Sequence, residues 1–92
     1  MESFELRDAD AALLEQIAAL AEIIWHEHYE SILGVDQVNY MVKHFQSLPA
    51  MKAQIANQGY RYRGVFHQGQ LCGYVATALN PEYLFLSKLY LA

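Results

Sequence analysis

Cysteine is nearly absent from this chain of 92 residues, which contains a single copy, Cys72. One cysteine cannot form an internal disulfide bond, and without a cysteine cluster the sequence offers no thiolate set for a structural zinc ion. This usage is typical of a protein from a reducing compartment, so we expect a cytoplasmic location.

Charged residues are also scarce, at 17% of the chain, and the balance is acidic, with a net charge of −4. Arg61 and Arg63 form the only close basic pair in the sequence, so no basic stripe is present that could follow a phosphate backbone. No basic region precedes an apolar one near the N-terminus, and Glu22 interrupts the most apolar helical window. We therefore expect neither nucleic acid nor a membrane as a partner.

The chain is instead rich in apolar residues: 54% are hydrophobic and 13% are aromatic. Such a composition argues against disorder. The length suits one domain, because a second domain would have too little chain to bury a core of its own. We predict a single domain over residues 1–92, part of whose apolar surface is covered by another chain or by a further segment.

The first half of the sequence predicts a short strand followed by a helix. Residues 3–7 alternate polar and apolar side chains, as an edge strand does. Asp10 can accept hydrogen bonds from the free amides at a helix start. The three-four spacing of apolar residues that follows predicts an amphipathic helix over residues 11–27. Gly34 can adopt a positive φ, and we expect it to let the chain turn there.

Two further helices are predicted before the second half begins. Asp36 is the expected cap of a helix over residues 37–46 that has Phe45 on its buried side. The sequence Ser47-Leu48-Pro49 then breaks and restarts the helix, since proline is tolerated in a first turn. The third helix is short, buries Ile55 and ends at Gly59.

The last third of the chain predicts three consecutive antiparallel strands. Residues 60–67 and 70–78 alternate in the manner of strands, and Gln68-Gly69 supplies the turn between them. Both faces of the second of these strands are apolar or small, as in a central strand covered on both sides. Asn80-Pro81 separates it from a last strand over residues 83–92.

Three fragments in this order resemble the GNAT N-acetyltransferase superfamily. They are FELRDAD at residues 4–10, GQLCGY at residues 69–74 and LSKLYL at residues 86–91. They are similar to the first strand with its helix cap, to the third strand after a glycine turn and to the fourth strand. The resemblance implies an α+β fold, the N-terminal half of the GNAT acyl-CoA N-acyltransferase fold, in the order β-α-α-(α)-β-β-β with helices packed on an antiparallel meander.

The family's next motif is a loop of the type Arg/Gln-x-x-Gly-x-Gly/Ala, followed by a helix whose amides hold the pyrophosphate of acetyl-CoA. No Gly-x-Gly occurs in this sequence. The resemblance therefore predicts an incomplete domain, which has the acceptor side but not most of the cofactor side.

The resemblance also implies cofactor-binding positions on the last strand. Backbone groups of the family's fourth strand hydrogen-bond the pantetheine arm of acetyl-CoA, and Leu89, Tyr90 and Leu91 occupy the matching positions. Alternatively, these three residues belong only to the core and to the edge of the sheet. Many family members carry a glutamate base near this strand, where this sequence has Ser87 and Lys88, so no catalytic base is assigned.

The turn between the first two helices often borders the acceptor site in the family. An aromatic residue there can equally be core, and His26 can form a pair with Glu22 or Glu30, four residues away on the helix. A zinc-protease helix would need a second histidine where Glu30 stands, so we predict no metal site. The expected acceptor-binding residues are Trp25, His26, Tyr29 and Tyr83.

Two hypotheses of function follow. In the first, the chain is part of an enzyme that transfers an acetyl group from acetyl-CoA to the primary amine of a small molecule or peptide. In the second, it is a truncated, non-catalytic module that forms a homo-oligomer, or binds another chain, through the exposed edge of its last strand.

Overall fold

A computed structural model describes residues 3–79 and 84–91. Its four strands form one antiparallel sheet in which each strand pairs with the next one along the chain, so the predicted meander is confirmed and the first strand lies at its edge. The elements in chain order are β1 (Phe4–Asp8), α1 (Ala11–Leu33), α2 (Val35–Met41), a π-helix (Val42–Gln46), α3 (Leu48–Gln58), β2 (Tyr60–His67), β3 (Gln70–Leu79) and β4 (Leu84–Leu91).

Helix α1 begins where the sequence predicts it but is six residues longer. The Asp10 carboxylate accepts a hydrogen bond of 2.8 Å from the amide of Leu13, as expected of an N-cap. The predicted end at residue 27 was wrong, because no glycine or proline interrupts the chain until Gly34. There φ is 86°, and the Gly34 amide donates a hydrogen bond to the carbonyl of Glu30.

Helix α2 does not use the predicted cap. Gly34 is its N-cap, and Asp36 lies inside the first turn, where its charge suits the positive end of the helix dipole. The helix then widens into the π-helix, in which each amide bonds five residues back and the direction of successive side chains changes. Gln46 is buried as a result, while Phe45 is 46% exposed, which corrects its predicted burial.

Helix α3 is capped at both ends by the residues that the sequence indicates. The Ser47 hydroxyl accepts a hydrogen bond from the amide of Ala50, and Gly59 closes the helix in the left-handed conformation with a φ of 68°. Its inward face is more polar than predicted. Gln54 is buried, whereas Ile55 is 40% exposed and does not belong to the core.

The core lies between the helices and one face of the sheet. Helix α1 crosses β2, β3 and β4, and α3 packs against β2. The buried side chains of this cluster come from α1, α3 and the two middle strands, and they are Leu14, Ile17, Ala21, Ile24, Met51, Tyr62, Tyr74 and Ala76.

The sheet is regular except at two bulges, one in the pairing of β2 with β3 and one in the pairing of β3 with β4. Gln68 and Gly69 both have positive φ and form the predicted hairpin turn between β2 and β3. In the pairing of β3 with β4, Ala76 faces Lys88 but the next residue, Thr77, faces Leu86, so the register shifts by one residue. Ser87 is therefore an extra residue in β4 without a partner in β3.

Candidate functional site

A cavity of about 480 Å³ opens between the helices and β4. This volume is within the range of small-molecule pockets. The wall combines residues of α1, α2, the π-helix, α3 and the sheet. Its aromatic and apolar members include Trp25, Met41, Phe45, Tyr60 and Tyr90, and its polar members are His44, Gln46, Gln54, Gln58 and Lys88.

Lys88 is the most unusual member of this wall, because its side chain is only 8% exposed. The ammonium donates hydrogen bonds to the main-chain carbonyl of Phe45 at 2.5 Å, to Oε1 of Gln54 at 3.0 Å and to the hydroxyl of Tyr62 at 2.6 Å. An ammonium has three N–H donors, so these acceptors satisfy all of them.

The acceptors of Lys88 are themselves connected. Tyr62 donates a short hydrogen bond of 2.5 Å to Oε1 of Gln54, and Nε2 of Gln54 donates to the carbonyl of Phe45 at 3.1 Å. The Phe45 carbonyl belongs to the last turn of the π-helix, where a carbonyl has no partner within its own helix. Lys88 and Gln54 supply that partner and join β4 to two helices.

Burial lowers the pKa of Lys88 from 10.5 to about 8. Among the residues that the structure describes, no carboxylate forms an ion pair with it. Its positive charge is supported only by neutral oxygen atoms, one of which lies at the negative end of a helix.

A second buried pair lies beside this cluster. The hydroxyl of Tyr74 donates a 2.8 Å hydrogen bond to Oε1 of Gln46. Burial raises the pKa of the Tyr74 hydroxyl, and it also raises that of Tyr62. Both hydroxyls therefore remain protonated donors, which fixes the amide orientations of Gln46 and Gln54.

Two aromatic residues of the cavity wall, Trp25 and Tyr90, belong to a larger cluster of aromatic rings. Trp25 contacts Tyr29 with ring centroids 4.5 Å apart and Tyr90 with centroids 5.7 Å apart. Tyr90 in turn contacts Tyr74 at 5.3 Å. Because Trp25 is the only tryptophan of the chain, its fluorescence reports on this wall.

The predicted acceptor-binding residues are only partly brought together. Trp25 lines the cavity, and Tyr29 packs against its ring. His26 does not line it, but Nδ1 of His26 donates a 3.0 Å hydrogen bond to the carboxylate of Glu30, which is one of the two pairs considered from the sequence. Tyr83 lies outside the residues that the structure describes.

The predicted cofactor positions lie on β4, which pairs with β3 and is the last strand of the sheet order. Tyr90 lines the cavity, while Leu91 faces Gly73 across the sheet and is 52% exposed. Leu89 pairs with Val75 through its backbone, and its side chain is outside the described part of the structure.

The sequence did not predict that Lys88, Gln54 and Tyr62 form one polar cluster, with the Gln46–Tyr74 pair beside it. A lysine between apolar residues of the predicted last strand was the available signal, since such a side chain must find several acceptors when it is buried. The two glutamines gave no signal of their own, because glutamine is an ordinary surface residue of helices.

Arg61, one of the two close arginines in the sequence, forms an ion pair on the protein surface. Arg61 makes two hydrogen bonds to the carboxylate of Asp8, at 2.7 and 2.8 Å. Both side chains are largely exposed, so this is a surface ion pair between two strands. Over residues 3–79 and 84–91, no cluster of three or more metal-ligating side chains occurs, and no helix is long and apolar enough to cross a membrane.

The helices and the four-stranded antiparallel sheet match the N-terminal part of a GNAT N-acetyltransferase fold. The crystal structure of PaiA N-acetyltransferase from Thermoplasma acidophilum in complex with coenzyme A matches this chain with a TM-score of 0.76 at 20% sequence identity. The match covers 97% of this chain and 58% of that protein, so the chain spans less than two thirds of its structural neighbour. No protein-family model matches the sequence, and no curated protein matches it significantly.

Proposed function

We propose that the chain is the acceptor-side part of an N-acetyltransferase that transfers an acetyl group from acetyl-CoA to a primary amine. The observation that carries this proposal is the fold match to an N-acetyltransferase with coenzyme A bound, together with a cavity of ligand size beside β4. A cytoplasmic location belongs to the same proposal, because a free thiol such as Cys72 suits a reducing compartment.

The backbone of β4 suits a pantetheine arm. In an antiparallel strand, alternate residues direct their N–H and C=O groups away from the neighbouring strand. Within the described residues β4 pairs only with β3, so these groups are available to the two amides of pantetheine. The extra residue Ser87 adds an amide outside the ladder near Lys88, at the level of the cavity.

The reaction needs an unprotonated amine, because only the nitrogen lone pair can attack the thioester carbonyl. The carbon–nitrogen bond forms as the carbon–sulfur bond breaks, the amine loses a proton, and coenzyme A leaves as the thiol. Neither Asp nor Glu is among the described residues of the wall, so within residues 3–79 and 84–91 no carboxylate of this cavity can act as the base that many GNAT enzymes use.

Backbone amide NMR with two ligands tests the proposal. Acetyl-CoA should shift the amide signals of residues 87–91, whereas adenosine 3′,5′-bisphosphate, which lacks the pantetheine arm, should leave them in place. Because the phosphate loop of the family is not in this chain, we expect weak binding, with a dissociation constant of roughly 1 mM. If saturating acetyl-CoA leaves the β4 signals unchanged, the proposal is wrong.

The second candidate is a homo-oligomer formed through β4, and the edge position of this strand favours it. Sedimentation equilibrium with Leu91→Lys tests this idea, since a lysine on an edge strand opposes strand pairing. We expect self-association of the wild-type chain to be lost in Leu91→Lys and kept in Ile32→Lys, a control at the 74%-exposed end of α1. A wild-type monomer at high concentration would contradict it.

A further inference from the structure

The charges around the cavity indicate which amines it can accept. Its described wall contains two basic side chains, His44 and Lys88, and no carboxylate. The ammonium of Lys88 is held by three neutral oxygen atoms, and among the residues that the structure describes no carboxylate forms an ion pair with it. A ligand with two positive charges would meet this charge without a counter-ion in the wall.

Aromatic rings can attract cations, but Lys88 already occupies the nearest ring faces. Its ammonium lies 5.2 Å from the ring centre of Tyr62 and 5.9 Å from that of Tyr60. The remaining aromatic surface, from Trp25 and Tyr90, is joined by Met41. This surface suits an uncharged, flat group better than a second ammonium.

We propose that the cavity binds a primary monoamine with an aromatic remainder and discriminates against aliphatic diamines. That this amine is the acetyl acceptor rests on the proposed transferase function. The binding preference itself does not depend on acetyl transfer. The amine nitrogen would reach the β4 side of the cavity as the neutral form, while the aromatic group packs on Trp25.

Trp25 fluorescence of the full chain provides the measurement, with three probes of similar length. 2-Phenylethylamine tests the proposed class, 1,4-diaminobutane tests a second charge, and butylamine separates the effect of the ring from that of the charge. We expect 2-phenylethylamine to bind at least about tenfold more tightly than the diamine. Equal or tighter binding of the diamine would overturn the proposal, as would the absence of saturable quenching by 2-phenylethylamine.

A charge added to the wall supplies a matched test that leaves the buried cluster intact. Gln58 lines the cavity from the exposed end of α3, and its neighbour Asn57 is exposed but does not line it. Gln58→Glu should bind 1,4-diaminobutane at least about fivefold more tightly than the wild type, whereas Asn57→Asp, with the same change in net charge, should not. Equal effects of the two substitutions would contradict the proposal.

Removal of the buried charge gives the complementary result. Lys88→Met should reduce the discrimination against the diamine, and Lys88→Arg should preserve it, with circular dichroism to verify that each variant folds. Should neither variant fold, the Gln58→Glu comparison still decides. Acetyl-CoA shifts at β4 without binding of 2-phenylethylamine would refute this inference alone, while the reverse result would refute the proposed transferase function alone.

Discussion

The ammonium of Lys88 donates a 2.5 Å hydrogen bond to the main-chain carbonyl of Phe45, 43 residues earlier in the chain. This bond connects β4 to the end of the π-helix and satisfies a carbonyl that the helix leaves without a partner. The wall of the cavity therefore contains a buried cation, and the stability of the fold should respond to the protonation of that cation.

The stability of the chain should rise with pH where Lys88 titrates. The pKa of Lys88 is about 8 in the folded chain, against an ordinary 10.5, so between these values the unfolded chain binds more protons at this site. The contribution of Lys88 is thus full above pH 10.5 and is lost as the pH falls through 8. We expect the free energy of unfolding of the wild type, relative to Lys88→Met, to increase by roughly 2 kcal/mol across this window.

The comparison with Lys88→Met is needed because a second titratable group, the Tyr62 hydroxyl, contacts Lys88. Burial raises the pKa of the Tyr62 hydroxyl, so the contribution of Tyr62 to the stability of the folded chain falls as the pH rises above about 10. Urea unfolding of both proteins at several pH values below that limit isolates the lysine. Parallel pH profiles of the wild type and Lys88→Met would contradict the prediction.

Loss of the Tyr62 hydroxyl should destabilise the fold. It donates to Gln54 and accepts from Lys88, so Tyr62→Phe leaves one buried N–H of the ammonium without its acceptor. We expect a loss of about 1–3 kcal/mol in the free energy of unfolding, measured by urea titration. Tyr40→Phe is the matched control, because Tyr40 is 53% exposed, and it should change stability by less than about 0.5 kcal/mol.

A double-mutant cycle shows whether the two groups act together. In a Lys88→Met background, Tyr62→Phe should cost clearly less than in the wild type, since the ammonium that needs the hydroxyl is gone. Identical costs in both backgrounds would mean that the hydroxyl stabilises the chain independently of Lys88.

Local chemistry explains the features that the sequence predicted correctly. The Asp10 cap, the end of α3 at Gly59 and the Gln68-Gly69 turn each depend on residues within a few positions of one another. Their preferences for hydrogen bonding or for positive φ act regardless of the rest of the fold. The order of elements, and with it the GNAT resemblance, follows from these features and the hydrophobic pattern.

The cavity could not be predicted in the same way, because distant residues form it. The π-helix ends where Gln46 meets Tyr74, 28 residues later, and where the Phe45 carbonyl meets Lys88. A pattern that places apolar residues inward chooses Phe45 over Gln46 and thus assigned the wrong inner face. Only the position of the lysine on an apolar strand indicated that buried oxygen atoms must surround it.

Gly73 should not tolerate a side chain. A Cβ atom there would collide with the carbonyl oxygen of Tyr90 and with the side chain of Leu91 across the β3–β4 pair. We expect Gly73→Ala to cost about 1–3 kcal/mol in urea unfolding, because the strand backbone of β4 would have to move away. Gln70→Ala, at an exposed position of the same strand, is the control, and a similar small cost for both substitutions would show that β4 yields freely.

The ion pair between β1 and β2 should be visible as a change in the titration of Asp8. The hydrogen bonds from Arg61 lower the pKa of the Asp8 carboxyl, with a smaller contribution from the charge of Arg63, 3.9 Å away. NMR titration of Arg61→Gln should show this pKa moving back towards its ordinary value, and added salt should produce a smaller shift in the same direction in the wild type.

Glu5 supplies the internal control for this titration, since its pKa is lowered by the hydrogen bond from Arg7 instead. The titration of Glu5 should be unchanged in Arg61→Gln and should change in Arg7→Gln. The titration of Asp8 should be unchanged in Arg7→Gln. Because both ion pairs are exposed to solvent, we expect these substitutions to change carboxyl titration without a measurable change in the unfolding midpoint. If Arg61→Gln leaves the Asp8 titration unchanged, the guanidinium does not pair with this carboxylate in solution.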